Sequence, residues 1–230
     1  MSRSHPEPVA IAIDDAVRVS GLLLRPPAAR ACYIFAHGAG AGMAHAFMAA
    51  VASGLAERDI ATLRYQFPYM ERGARRPDPP ALAQATVRAA AAYAATLTPA
   101  LPGIAGGKSF GGRMTSQAQA ASALPGVSGL VFLGFPLHPA GKPSDQRAAH
   151  LFDVQIPMLF LQGTRDALAE LVLLQPLIKR LGPRASLQLF EEADHSFHVP
   201  ARTGRKDAEI REEILDAFAA WTWSVTSRVN

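Results

Sequence analysis

A serine hydroxyl attacks carbon well only when a positioned base takes its proton and a carboxylate holds that base, so the residues to seek are a serine on an unusual turn, a histidine and an aspartate. The run Gly107-Lys108-Ser109-Phe110-Gly111 supplies such a serine. Its G-x-S-x-G spacing has a steric reason: on a sharp, strained turn, side chains two positions either side of the serine would collide with neighbouring backbone, and Gly107 and Gly111 remove them. The pattern alone equally describes a solvated loop or a helix-capping serine in a Gly-rich chain. Context decides, because a short strand-like run, 103–106, precedes it and a helix-period run opens after it. Ser109 is the expected nucleophile.

Base and acid should lie at the carboxyl ends of later strands. Asp166 follows the run 157–162 through Gly163-Thr164-Arg165, and His195 follows the run 186–190 through Glu191-Glu192-Ala193-Asp194. The chain order Ser, Asp, His is the one that accompanies this kind of elbow. His198, three residues beyond His195, competes as base, but there the turn is already leading away. Asp194 and Glu192 compete as acid, although adjacency to His195 tends to point them elsewhere, and Asp153 is an outside candidate from an earlier strand end. Charge developing on a tetrahedral intermediate also needs N–H donors. The small-residue loop His37-Gly38-Ala39-Gly40-Ala41-Gly42 brings backbone close to a substrate oxygen, which nominates the N–H groups of Ala39 and Phe110. His37 reads as a buttress of that loop rather than a base, and it joins Tyr65, His138 and Lys142 as residues expected around the substrate.

Two phosphate-binding readings fail on their own spacing. Gly107-Lys108-Ser109 would end a G-x-x-x-x-G-K-[ST] loop, but position 102 is Pro, which has no N–H to cradle phosphate. After Gly38 and Gly40, the third position of G-x-G-x-x-G is Met43. No metal site is expected either: His195 and His198 do not form H-E-x-x-H, and Cys32, the single cysteine, lies in an apolar strand-like run. One cysteine also forms no internal disulfide, so nothing points to an oxidising compartment.

Positioning these residues takes an alternating chain. Strand-like runs occupy 9–13, 17–24, 32–36, 61–65, 103–106, 129–133, 157–162 and 186–190, and helix-period segments occupy 44–58, 81–97, 112–124, 168–181 and 207–223. Runs apolar throughout, such as Leu159, Phe160 and Leu161, need cover on both faces. The pattern implies an α/β fold with a mostly parallel, doubly wound sheet of about eight strands. Ile210, Ile214, Phe218 and Trp221 recur at helical spacing, with Arg211, Glu212 and Asp216 opposite, so the last helix should dock on that sheet. Pro176 predicts a helix break near Gln175.

At 230 residues, 49% apolar and 18% charged, the chain can bury a large core as one domain spanning 1–230, and it is neither disordered nor collagen-like nor a coiled coil. The net charge of +4 comes without any run of five or six basic residues, so nucleic acid is not the expected partner. Residues 1–16 show no apolar run behind a basic start, and no stretch of about 18 uncharged apolar residues follows. The expectation is a soluble, cytoplasmic protein without membrane contact, monomeric or homodimeric.

With elbow, acid, base and oxyanion loop in place, the chain resembles the α/β-hydrolase superfamily, from the His37-Gly38 loop to His195. The segments "GGKSFGGRM", "FPLHPAGKP", "LQGTRD" and "ADHSF" resemble more narrowly a compact branch akin to dienelactone hydrolases and to the hydrolase-like subunit of the NSL chromatin complex. The resemblance implies a Ser109–His195–Asp166 site without cofactor. Dienelactone hydrolases use cysteine as nucleophile, and the serine here withholds that substrate. Large relatives carry a lid between the sixth and seventh strands, for which residues 136–155 leave too little chain. Leu137, His138, Lys142 and Pro143 are expected to border the mouth, with Tyr65, Phe67, Tyr69 and Met70 either as apolar walls or as ordinary packing. Arg72, Arg75, Arg76 and Lys142 are expected either to draw an anionic substrate or to form a solvated basic rim. The function implied is a serine hydrolase cleaving a small carboxylic ester, thioester or lactone. An idle scaffold and an acyltransferase with the same triad are the alternatives.

Overall fold

The computed structural model describes residues 5–227; residues 1–4 of the amino-terminal stretch and 228–230 lie outside the described residues. Eight strands form one sheet: β1 (Glu7–Ala12), β2 (Arg18–Leu24), β3 (Ala31–Ala36), β4 (Ile60–Tyr65), β5 (Gly103–Lys108), β6 (Val127–Leu133), β7 (Met158–Gly163) and β8 (Ala185–Phe190). Their order is β1-β2-β4-β3-β5-β6-β7-β8. The β1–β2 and β2–β4 pairs are antiparallel and every later pair is parallel. The helices are α1 (Ala46–Ala56), α2 (Pro68–Glu71), α3 (Pro80–Leu97), α4 (Phe110–Ala121), α5 (Leu171–Leu181) and α6 (Asp207–Thr226). This is the fold expected from the sequence.

Alternation within the strands divides the core in two. Tyr33 and Phe35 of β3 pack with Met48, Val51 and Leu55 of α1 and with Ile214 and Phe218 of α6. Ile34 and Ala36 of the same strand face a second cluster that holds α3, α4 and α5. Each side chain of β3, β4 and β7 is buried, because these strands are covered on both faces. The polar face of α6 is tied as well, since Glu212 and Asp216 both pair with Arg58 just beyond α1. Phe218→Ala would remove a fully buried ring at a cost of about 3–5 kcal/mol.

Two details differ from the sequence reading. The four-residue α2 was not expected, and it starts on Pro68, whose fixed φ suits a first helical position. The break near Gln175 does not occur: α5 runs through Pro176. The N–H that proline lacks would have bonded to the carbonyl of Val172, a residue 72% exposed, so the loss falls on the solvent side of the helix.

Among the described residues no helix is long and apolar enough to cross a membrane. Between β6 and β7 the regular structure is one 3-10 helix, Gln146–Asp153, which packs on α4; no cap domain is built there.

Candidate active site

β5 lies between β3 and β6 and delivers Ser109 at its carboxyl end, and α4 begins on the next residue. Ser109 has φ 51° and ψ −114°, a conformation that non-glycine residues rarely take. A hydrogen bond from its N–H to the Leu133 carbonyl helps to hold it there (3.2 Å). The glycines are required by the backbone nearby: a Cβ at position 107 would stand 2.4 Å from the Ala36 carbonyl oxygen, and one at position 111 would stand 2.6 Å from those of Ala36 and His37. The elbow therefore fits only against β3 without side chains.

The loops after β7 and β8 bring the other two residues to this point. His195 Nε2 lies 2.8 Å from Ser109 Oγ, and its Nδ1 lies 2.6 Å from Asp166 Oδ2. A carboxylate only accepts, so the ring proton sits on Nδ1 and Nε2 is left to accept from the serine hydroxyl. Asp166 is 3% exposed; its Oδ1 accepts the Leu168 N–H at 2.8 Å, and its Oδ2 also accepts from Gln162 Nε2. The acid is thus fixed from three directions while the histidine ring keeps some exposure.

The loop after β3 passes close to the nucleophile, since a Cβ at Gly38 would be 3.9 Å from Ser109 Cβ. It is pinned on its far side. Gly40 N–H donates to the Tyr69 hydroxyl at 3.0 Å, Met43 N–H to Gln66 Oε1 at 2.8 Å, and Phe67 N–H to His37 Nε2 at 3.1 Å. The exposed Ala39 offers an N–H that bonds to no acceptor among the described residues. Phe110, as first residue of α4, likewise has no acceptor within its helix.

Several expected substrate contacts are corrected. His37 is fully buried, with Nδ1 donating to the Gly38 carbonyl at 2.8 Å and Nε2 occupied by Phe67, so both nitrogens serve the loop. Burial also pushes its pKa down, which keeps the ring neutral. Tyr65 is a fully buried last residue of β4 and Phe67 packs edge-on against Phe110, so both are core. His138 is fully buried, its Nδ1 on the Pro139 carbonyl, and Leu137 is buried beside it. Lys142 and Pro143 are exposed. Arg72 turns to Asp78 in an ion pair of 2.8 Å. The competitors stand apart from Ser109 as well: His198 pairs with Asp207, Asp194 accepts the Ser196 and His198 N–H groups, Glu192 pairs with Arg202, and Asp153 is exposed.

Gln162 and Gln66 were not singled out from sequence, and Tyr69 was expected as a substrate wall rather than as an anchor of the loop after β3. Gln162 orients Asp166, and a polar residue closing the otherwise apolar run Met158–Gly163 was a signal for it. Tyr69 and Gln66 hold the 38–42 loop through contacts across the fold, which leave no local pattern. Among the described residues no cluster of histidine, cysteine or acidic groups is arranged to hold a metal ion. Cys32 is buried in β3, where burial pushes its thiol up to about 11.

A family model described as an alpha/beta hydrolase domain matches residues 29–223. The chain belongs to the alpha/beta hydrolase family. Its fold is shared with a dienelactone hydrolase from Anabaena variabilis, at 19% identity and a TM-score of 0.77 over 97% of this chain and 99% of that one. An α/β serine hydrolase without a lid, from Xanthomonas campestris, is 20% identical with a TM-score of 0.72, covering 94% of each chain. The esterase domain of a Rhodothermus marinus protein is 16% identical with a TM-score of 0.70, over 94% of this chain and 97% of that one. At these identities the likeness speaks for the fold alone.

Proposed function

We propose that this hydrolase cleaves small carboxylic esters through an acyl-enzyme on Ser109. The observation that carries the reading is the unbroken chain from a strained, partly exposed serine through His195 to a buried carboxylate. His195 Nε2 takes the Ser109 proton as Oγ adds to the acyl carbon, and Asp166 stabilises the imidazolium that forms. The negative oxygen of the tetrahedral intermediate lies against the N–H groups of Ala39 and Phe110. His195 returns the proton to the leaving alcohol, the ester bond breaks, and an acyl group remains on Ser109. Water then adds to the acyl carbon as its proton passes to His195, the bond to Ser109 Oγ breaks, and His195 returns that proton to the serine as the carboxylic acid leaves. The serine hydrolase without a lid and the esterase domain that share this fold support an ester substrate.

The short 3-10 segment between β6 and β7 leaves little surface for a long acyl chain, so binding energy must come from contacts near the reacting carbon. A series of p-nitrophenyl esters from acetate to palmitate tests this. The expected profile favours short acyl groups and vanishes in Ser109→Ala; each methylene properly buried would add about 0.8 kcal/mol, so a steady rise through the long chains would contradict the open site.

A further inference from the structure

Lys108, the last residue of β5 and the neighbour of the nucleophile, has no part in the mechanism above. Its Nζ donates to the main-chain carbonyl of His195 at 2.5 Å. The ring of Phe197 lies beneath the ammonium, with its centroid 5.5 Å away. Backbone closes on another side, where a Cβ at Gly134 would stand 2.9 Å from Nζ and 3.4 Å from His195 Cε1. The charged groups that face it are Asp166, from the loop after β7, and Asp194, from the loop after β8. Burial pushes Lys108 down to about 8 against the pull of these two carboxylates.

Burying an ammonium is costly, and a methionine would fill similar space without that cost. What the cation adds is a charge-assisted hydrogen bond, roughly twice as strong as a neutral one. Within the His195 loop, Phe197 N–H donates to the Asp194 carbonyl at 3.0 Å and Asp194 Oδ1 accepts from Ser196 and His198. Its other bonds run to the loop after β7, where Arg165 N–H donates to the Ala193 carbonyl at 2.9 Å, and to Asp207 of α6, which accepts the Val199 N–H at 3.0 Å, and none of these reaches the elbow. Such a turn can be internally rigid and still shift as a body against the elbow. Lys108 bonds its main chain to the residue next to Ser109, while Asp166 holds the imidazole.

We propose that Lys108 is a positioning residue whose ammonium clamps the His195 main chain to the nucleophile elbow and so keeps Nε2 in line with Ser109 Oγ. The proposal rests on the reading of Ser109 as nucleophile and His195 as base.

The test compares Lys108→Met and Lys108→Arg with the wild type, each checked for folding by circular dichroism. Lys108→Met should lower kcat on p-nitrophenyl acetate, and the rate of fluorophosphonate labelling at Ser109, by about 10–100-fold with KM little changed, the size of effect that a displacement near 1 Å produces. Wild-type activity should fall above about pH 8, because the ammonium is present below that pH and lost above it. Lys108→Met should lack this limb; Lys108→Arg should restore the rate and move the limb to higher pH. Unchanged kcat or an unchanged limb in Lys108→Met overturns the clamp, and if that variant does not fold, an unmoved limb in Lys108→Arg does so. Should the wild type neither turn over esters nor label, the hydrolase reading falls, and the clamp is judged by proton NMR of the Asp166–His195 hydrogen bond. Its Nδ1 proton should shift or broaden in Lys108→Met, and an unchanged resonance overturns the proposal.

Discussion

Two serines near the start of α4 meet a histidine Nε2 at almost the same distance, 2.8 Å for Ser109 and His195 and 2.7 Å for Ser116 and His150. Only the first pair has what nucleophilic chemistry requires. Ser109 sits before the helix at φ 51° and is partly exposed, whereas Ser116 is fully buried two turns along and also bonds to the Arg113 carbonyl at 2.9 Å. His195 has a buried carboxylate on its Nδ1; His150 instead has its pKa pushed down to about 4 by burial and by the positive charge of Arg113, with Asp153 too weak an influence to reverse it. A base that weak draws little on a hydroxyl proton. A close Ser–His contact is therefore not the functional signal; the strained turn and the third residue are.

The largest effect that could break this contrast is at the serines. Ser109→Ala should lower kcat on a short p-nitrophenyl ester by on the order of 10⁶-fold, the scale for losing a serine nucleophile. Ser116→Ala should leave turnover unchanged and cost about 1–3 kcal/mol of stability in urea unfolding, for two hydrogen bonds. Equal losses of activity would erase the difference between the pairs.

Next come the carboxylates. Asp166→Asn should reduce kcat by about 10⁴-fold, as the same change does in a serine-protease triad, because the imidazole loses the partner that fixes its tautomer. Asp153→Asn should not affect the rate, and a reversal of these two results would move the acid to the 3-10 segment. Gln162→Leu should lower kcat by about 10–100-fold, since one hydrogen bond to a charged group is worth roughly 1.5–3 kcal/mol.

The smallest effect sharpens the second pair. His150 binds its proton less readily folded than unfolded, so the unfolded chain takes up more protons between about pH 6.5 and 4. Stability should therefore fall as pH drops through that window, and thermal melts of His150→Gln should show a shallower acid slope than the wild type. Parallel slopes would mean that His150 is not held neutral.

Much of this was legible in the sequence, and for local reasons. The elbow, Asp166 and His195 each follow an apolar strand run within a few residues, and the succession of such runs along the chain is what spacing reveals. The fold followed from the same runs. Substrate walls were harder, because Tyr65 and His138 lie at strand ends, where being core or mouth depends on what the rest of the fold lays over them. Pro176 misled for a similar reason: propensity prices the lost hydrogen bond, but not which face of α5 bears it. Lys108 reads locally only as part of a failed phosphate loop, because its contact with His195 spans 87 positions in the chain.

The central claim is that Ser109, alone among the serines, is an activated nucleophile. Treating the folded protein with a fluorophosphonate and mapping the adduct by peptide mass spectrometry tests it directly. The account predicts one adduct, on the peptide carrying Ser109, kept in Ser116→Ala and lost in Ser109→Ala. An adduct on Ser116, or none on the wild type under conditions that label an ordinary esterase, would contradict it.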